Sequence, residues 1–422
     1  MKVLLLLALI GVAFAKNEMY QGWKSFQLGP ETPDQFEALR LATDTLDLDF
    51  LSRPIAGREG LVLVKPESQQ QFMEIVEAFQ IPHKVHSVDF KAALEKEDEI
   101  IAARRTLRGN KNIPYNDYQE FEVIQAYLED VAKRFPDKVK LVVGATTPEG
   151  RKVSYLKIST TNFEDKSKPV IVIDGGIHAR EWIAPPVVTW AIHKLVEDVT
   201  EPDLLNRFDW ILLPVVNPDG YKYTFTDSRF WRKTRTPNAN QRCPGVDGNR
   251  NYDFFWNTVG SSSNPCDDTY AGPSAFSEAE TRAVRDILND NLERIALYLT
   301  MHSYGSMILY PWGHDGTLSP NALALQTVGV AMANAIDAKK LSNFPRYTVG
   351  NSMLTLWYGA AGAAEDYAHS IGVPLAYTIE LPGFGWSLDA FHLDPKYIQQ
   401  VASETWEGIV VGARRAGDLL RK

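Results

Sequence analysis

Apolar residues recur along this chain in two rhythms, and the change between them falls near residue 115. Before it, "GWKSFQLGP", "PDQFEALRLATDTLDLDFL", "GREGLVLVKPE", "QQQFMEIVEAFQ" and "HKVHSVDF" predict strand, helix, strand, helix, strand, a small α+β unit with an antiparallel sheet. The unit closes on a charged helical run, "ALEKEDEIIAARRTLRGNKN". Beyond it, amphipathic helices alternate with very apolar strands. "YQEFEVIQAYLEDVAKRFP" predicts a helix, "KVKLVVGATTPEGRKVSYLKIST" a hairpin turning at Pro148, Glu149 and Gly150, and "KPVIVIDGG" a buried strand. "VVTWAIHKLVEDV" is a helix, "FDWILLPVVNPDG" a strand ending in a turn, and "SEAETRAVRDILNDN" a helix opened by a capping box of Ser277 and Glu280. "IALYLTMHS" and "PLAYTIEL" are further strands, with helices in "NALALQTVGVAMANAIDAKK" and "PKYIQQVASETWEGIVVGARRAGDLL". Strands apolar on both faces and separated by helices predict an α/β domain: a mixed, largely parallel central sheet with helices on both faces. Ligands of such sheets lie beyond the C-terminal strand ends.

The first fifteen residues, "MKVLLLLALIGVAFA", have a basic start, a short leucine-rich core and Ala13 and Ala15 before Lys16, the pattern of a secretory signal peptide. Boundaries are therefore expected at 1–15 for the leader, 16–108 for the small domain and 109–422 for the large one. Arg104, Arg105, Arg108 and Lys111 between the domains suit tryptic cleavage, with a solvated helix face as the plain alternative. Export places Cys243 and Cys266 in an oxidising compartment, where one disulfide is the simplest reading. The net charge of -9 is spread without a basic stripe, so nucleic acid has no electrostatic footprint here. No later apolar run approaches the length of a membrane span.

Three of the apolar strands end in groups that carry chemistry. "VIVIDGGIHARE" delivers His178 and Glu181, "YLTMHSYG" delivers His302 and "LAYTIELPG" delivers Glu380. Two imidazoles and a carboxylate compose a zinc site with an open position, and a further carboxylate can take a proton from water. Each fragment alone has a bland alternative: His178 and Glu181 as a hydrogen-bonded loop pair, Glu380 as half of a salt bridge. The remaining histidines, His83, His86, His193, His314, His369 and His392, read as packing or surface groups. "SRFWRKTRTPNANQRCPGVDGNRNYDFFW" interleaves Arg229, Arg232, Arg235, Arg242 and Arg250 with aromatics and turns, which suits a small carboxylate anion.

Taken in order, "HAREW", "NPDGY", "FWRKTR", "GVDGNRNYDFFW", "MHSYG" and "YTIEL" make the chain resemble the zinc metallocarboxypeptidases of the pancreatic A/B (funnelin) group in secreted zymogen form. The resemblance runs from leader and propeptide through the catalytic domain. It implies His178, Glu181 and His302 as ligands of one Zn2+, Glu380 as general base and Arg232 as the group that stabilises the oxyanion. It further implies Asn249, Arg250 and Tyr358 as the clamp on the substrate's terminal carboxylate, Arg180, Arg229 and Tyr304 at outer subsites, and Asp247 as the acid that orients His178. Cys243 and Cys266 match the disulfide of the group. Residues 16–108 become an activation propeptide, an inhibitory prodomain with its connecting helix, removed by a trypsin-like protease near Arg105, Arg108 or Lys111.

Specificity is carried by the residue seven positions after Tyr358, which lies at the bottom of the side-chain pocket in this family and is Glu365 here. An acid there implies release of C-terminal Lys or Arg; B-type enzymes usually carry Asp, and the longer Glu shortens the pocket and favours Lys over Arg. Alternatives are Glu365 turned to solvent or held by Arg346, with Asp366 as the rival acid. An A-type preference for apolar ends, and a metal-free relative that only binds C-termini, stay open. The enzyme is expected to act as an extracellular monomer, in the digestive lumen by resemblance, on peptide and protein C-termini. Its partners would be its own propeptide and protein carboxypeptidase inhibitors.

Overall fold

A computed structural model describes residues 17–105, 113, 115–238, 243–383 and 393–420. The expectations placed on residues 1–15, Arg108, Lys111, Arg242 and His392 fall outside them. The N-terminal domain consists of β1 (Lys24–Leu28), α1 (Pro33–Leu46), β2 (Asp49–Ser52), β3 (Gly60–Val64), α2 (Gln69–Ala78), β4 (His83–Ser87) and α3 (Phe90–Arg105). Its strands pair antiparallel in the order β2-β3-β1-β4. Helix α1 opens with a capping box: Thr32 Oγ1 accepts from Gln35 N and Gln35 Oε1 accepts from Thr32 N. It stops at Leu46 because Asp47 turns left-handed (φ 49°). Strand β2 therefore occupies what reads in the sequence as the tail of that helix, a strand more than the pattern predicts.

Alternation sets the two faces of this small sheet. Phe26, Leu28, Val62 and Val64 pack against Leu39, Ala42, Phe72 and Val76 of α1 and α2. Leu51, Leu61 and Leu63 point the other way and meet Phe230 and Tyr304 of the large domain, with Tyr20, Phe90 and Leu94 in the same cluster.

The large domain runs α4 (Phe121–Arg134), β5 (Val139–Thr146), β6 (Lys152–Ile158), β7 (Val170–Gly175), α5 (Ala184–Val196), α6 (Pro202–Arg207), β8 (Asp209–Leu213) and α7 (Pro218–Thr226). It continues with α8 (Ala279–Asn291), β9 (Ile295–Ser303), β10 (Met307–Tyr310), α9 (Ala322–Asp337), β11 (Thr348–Asn351), α10 (Ser352–Leu356), α11 (Ala364–Ser370), β12 (Ala376–Leu381) and α12 (Ile398–Leu420). The sheet order is β11-β10-β12-β9-β7-β8-β6-β5, parallel from β12 through β9 and β7 to β8 and also between β10 and β11. Ile171, Ile173, Leu297 and Leu299 face Val187, Leu195, Met332 and Trp406 on one side, and Val170, Val172 and Tyr298 face Val284, Ile287 and Ala368 on the other.

Two local expectations are corrected. "NPDG" after β8 starts a helix instead of a turn: Asn217 Oδ1 accepts from Gly220 N, and Pro218 at the first helical position gives up no needed donor. Helix α8 begins at Ala279 with Glu278 as its N-cap and no side-chain cap, since Ser277 Oγ donates to the Glu278 carboxylate. Both carboxylate oxygens of Glu280 are buried without a hydrogen-bond partner among the described residues. Cys243 and Cys266 form a disulfide. Among the described residues no helix is long and apolar enough to cross a membrane.

Candidate active site

Strand β7 ends at two glycines, and Gly176 takes a left-handed backbone (φ 68°) that sends the chain out of the sheet. The loop that follows is fixed from two sides. Asn217 Nδ2 donates to Ile177 O (3.2 Å) and to Lys233 O (2.9 Å), and Ala179 N donates to Arg232 O (3.1 Å). A turn closed by Glu181 N on His178 O (3.3 Å) brings His178 Nδ1 to 2.7 Å from Glu181 Oε1. His302 comes from the end of β9, the parallel neighbour of β7, and Glu380 lies directly beside His302 on β12.

The donor atoms of His178, Glu181 and His302 lie within 4.8 Å of one another, and all three residues are buried. The two Nδ1 atoms are 3.1 Å apart, and His302 Nδ1 is 3.1 Å from Glu181 Oε2. Two imidazole lone pairs and a carboxylate turned toward one point in a buried site suit a divalent cation, and this donor set suits zinc. The opposite edge of His178 is engaged as well: its Nε2 is 3.0 Å from Asp247 Oδ1, which also accepts from Asn249 N (2.9 Å). Asp247 Oδ2 takes Arg232 Nε (3.1 Å) and Nη2 (2.9 Å). Burial alone would raise the Asp247 carboxyl, but Arg232 and His178 outweigh it and hold the group well below the usual range.

Arg250 and Tyr358 meet at one carbonyl: Arg250 Nε donates to Gly260 O at 2.7 Å, and so does Tyr358 Oη at 2.7 Å. Asn249 Oδ1 accepts from Ala364 N (2.9 Å), which ties this corner to the start of α11. The next residue, Glu365, is buried at the cleft beside Ser352, Thr378, Met307 and Leu309. Its Oε1 accepts from Ser352 Oγ at 3.3 Å, while Oε2 has no hydrogen-bond partner among the described residues. Burial and the adjacent Asp366 push the Glu365 carboxyl up to about 7. Both oxygens of Asp366 are taken by Gly313 N (3.0 and 2.9 Å), and the exposed Arg346 pairs with Asp337, so neither competes at this position. Glu380 is likewise pushed up to about 7, chiefly by burial, with His302 and Arg232 opposing.

The profile described as Zinc carboxypeptidase matches residues 124–408, and that described as Carboxypeptidase activation peptide matches residues 26–97. The chain belongs to the zinc carboxypeptidase family. It is 62% identical over 429 residues to Carboxypeptidase B of Helicoverpa zea, across the full length of both. The solved Carboxypeptidase A of Helicoverpa armigera superposes with a TM-score of 0.90 at 43% identity, covering 96% of this chain and all of the other. Bovine thrombin-activatable fibrinolysis inhibitor, solved in complex with tick carboxypeptidase inhibitor, gives a TM-score of 0.67 at 31% identity over 72% of this chain and 99% of its own. The protein is a zinc carboxypeptidase zymogen with an activation peptide.

In this carboxypeptidase the activation domain lies over the cleft. Phe50, Leu51, Ser52 and Arg53 line it together with His178, Glu181, Arg232, Arg250, His302, Glu365 and Glu380, leaving a cavity of about 120 Å³. Asp49 binds Arg180 through both oxygens (2.7 and 2.8 Å), and Tyr304 is packed under Leu51. The Arg53 guanidinium stacks 3.4 Å from the centre of the Tyr358 ring. Ile55 fits among Met307, Leu309 and Leu356, and Arg58 donates to the carbonyls of Gly305 and Arg346. Arg229 sits apart from the cleft: it is fully buried, donates to Arg180 O (2.9 Å) and lies 3.7 Å from the Trp182 ring.

Asp49, Arg53, Ile55 and Arg58 are the functional contacts that sequence reasoning missed. Their signal was the period-two run Leu46-Asp47-Leu48-Asp49-Phe50, which marks a strand where a helix was expected.

Proposed function

We propose that the chain is a secreted proenzyme with a leader at 1–15, an activation propeptide at 16–108 and a catalytic domain at 109–422, which once cleaved releases C-terminal basic residues, Lys before Arg. The convergence of His178, Glu181, His302 and Glu380 from three adjacent strand ends carries the hydrolytic part of this reading. His178, Glu181 and His302 would hold the zinc, which would supply Lewis acidity for the scissile carbonyl and for water. Glu380 accepts the proton of the attacking water and passes it to the departing amine. Arg232, held by Asp247 through Nε and Nη2 and with its Nη1 3.9 Å from Glu181 Oε1, stabilises negative charge on the carbonyl oxygen, and Asp247 also orients His178. Arg250, Asn249 and Tyr358 bind the terminal carboxylate. A chain interior offers no carboxylate at that point and would leave the buried Arg250 guanidinium without that counter-charge, so chain interiors are rejected.

The basic preference is supported by the buried Glu365 oxygen that lacks a partner at the cleft, since a substrate ammonium would satisfy it. The apolar wall of Met307, Leu309 and Leu356 favours a second reading, A-type release of Leu or Phe. Protein inhibitors are proposed as partners on the likeness to the inhibitor-bound bovine structure. Tryptic activation, sequencing of the new N-terminus, zinc analysis and a panel of peptides ending in Lys, Arg, Leu and Phe test the whole. A metal-free product without chelator-sensitive hydrolysis would leave only a binder of C-termini.

A further inference from the structure

Arg180 is fully buried at the boundary between the domains and serves two carboxylates at once. Its Nη1 donates to Asp49 Oδ2 of the activation domain (2.8 Å) and to Asp268 Oδ2 of the catalytic domain (3.3 Å), and its Nη2 donates to Asp49 Oδ1 (2.7 Å). One guanidinium therefore brings together two acids that only docking makes neighbours. A second acid from each domain, Asp47 and Asp267, adjoins them around an interdomain cavity of about 380 Å³.

The cations nearby are already engaged. Lys65 ion-pairs with Asp47, Lys233 Nζ donates to Pro265 O (2.7 Å) and Arg232 is held by Asp247. The groups that face Asp268 are Asp49 on β2, Arg180 after β7, Arg232 and Lys233 after α7, Lys65 after β3, and the buried phenol of Tyr20. The charge of Arg180 is shared between Asp49 and Asp268, and Lys233 and Arg232 add weaker attraction to Asp268.

We propose that docking of the activation domain takes up a proton at the Asp49–Asp268 pair, so that the domain is held tightly in acid and released as the pH rises. The proton comes from solvent and stays on the pair, and no bond is made or broken. Burial and Asp49 push the Asp268 carboxyl up to about 7 against the pull of Arg180, whereas Arg180 keeps Asp49 below its ordinary value in spite of burial. In the separated domains Asp268 loses its acidic neighbour and returns toward about 4. A group raised by docking stabilises the docked form fully below its free value, and that contribution is lost as the pH climbs through about 7. The full shift would weaken docking by about tenfold per pH unit in between. Because 37% of the Asp268 side chain is exposed, screening reduces this to about fivefold to tenfold between pH 5 and pH 8.

The inference rests on the activation domain being the intramolecular inhibitor of the cleft. To test it, the full chain is cleaved in its connecting segment, and the dissociation constant of the two parts is measured by sedimentation from pH 5 to pH 8, with hydrolysis assayed in parallel. The expected result is a dissociation constant that rises about fivefold to tenfold over that range. Asp268→Asn should tighten docking at pH 8 and remove most of the pH dependence. Asp49→Asn should weaken docking at every pH and also flatten the profile, because Asp268 then has Arg180 to itself. A wild-type constant that stays within twofold across the range, or an Asp268→Asn protein that keeps the full slope, overturns the proposal. If retention falls with pH but the bound domain leaves hydrolysis unchanged, the inhibitory reading fails while the proton linkage stands.

Discussion

Replacing Glu365 with Ile puts the specificity reading to its sharpest test. The wild-type carboxylate is buried with one weak partner, Ser352 Oγ at 3.3 Å, and one oxygen without any, so a substrate ammonium would be its main counter-charge. Removing one side of a buried charged pair costs about 2–5 kcal/mol. Since the group is already raised to about 7, part of that attraction is absent at neutral pH, and about 3 kcal/mol is the working value. The expected loss in kcat/KM for peptides ending in Lys is therefore roughly a hundredfold. For peptides ending in Leu or Phe the substitution extends the apolar wall of Met307, Leu309 and Leu356, a gain of about 1–2 kcal/mol. The Lys-to-Leu preference should thus move by roughly a thousandfold between the two proteins. In the wild type the same ratio should grow from pH 5.5 to about pH 8, because kcat/KM follows ionisation in the free enzyme and Glu365, raised to about 7, loses its proton across that interval. The assay is steady-state hydrolysis of peptides that differ only in the last residue, on activated enzyme. A Lys value within threefold of wild type, or a wild-type enzyme faster on Phe than on Lys, refutes the reasoning.

Other outcomes follow from the same geometry. Glu380→Gln should lower kcat by about 10²–10⁴-fold while zinc content by metal analysis stays near one per chain, since Glu380 stands outside the triad. Exhaustive chelation should abolish hydrolysis and added zinc restore it, whereas far-ultraviolet circular dichroism should change little, because the cores on both faces of the sheet are built without the metal. Replacing Cys243 and Cys266 together by Ser opens a loop with a sequence separation of 23, worth about 3 kcal/mol in the chain-entropy account, and calorimetry should show Tm falling by roughly 5–10 °C.

The large sheet was legible because its central strands are apolar on both faces, as in "VIVI" of β7 and "IALYL" of β9, a pattern that a parallel, helix-covered sheet requires. The metal triad was legible for a related reason: polar side chains at the ends of such strands stand out against their apolar runs. Strand β2 was not, because apolar residues up to Leu46 keep a helical period and the switch to alternation lasts only five residues. The clamp by Asp49 on Arg180 was hidden with it, being a contact between segments far apart in the chain. "NPDG" misled because the residues that favour a turn also favour the first turn of a helix, and only the Asn217 side chain folded back on Gly220 N decides between them. Arg229 looked like its neighbours in the arginine-rich stretch, yet it is a buried brace on Arg180 O. Nothing in the local sequence distinguishes the two roles.

His302 and Glu380 stand side by side on paired strands and His178 follows the end of the neighbouring strand, whereas Glu365 opens a short helix that packs on the face of the sheet and is tied to Asn249 by the bond from Ala364 N. The reacting groups and the proposed selector of the C-terminal residue thus stand on different elements of one core. On the proposed reading, changes at the start of α11 alter which C-terminal residue is released while the reacting groups keep their places at the strand ends.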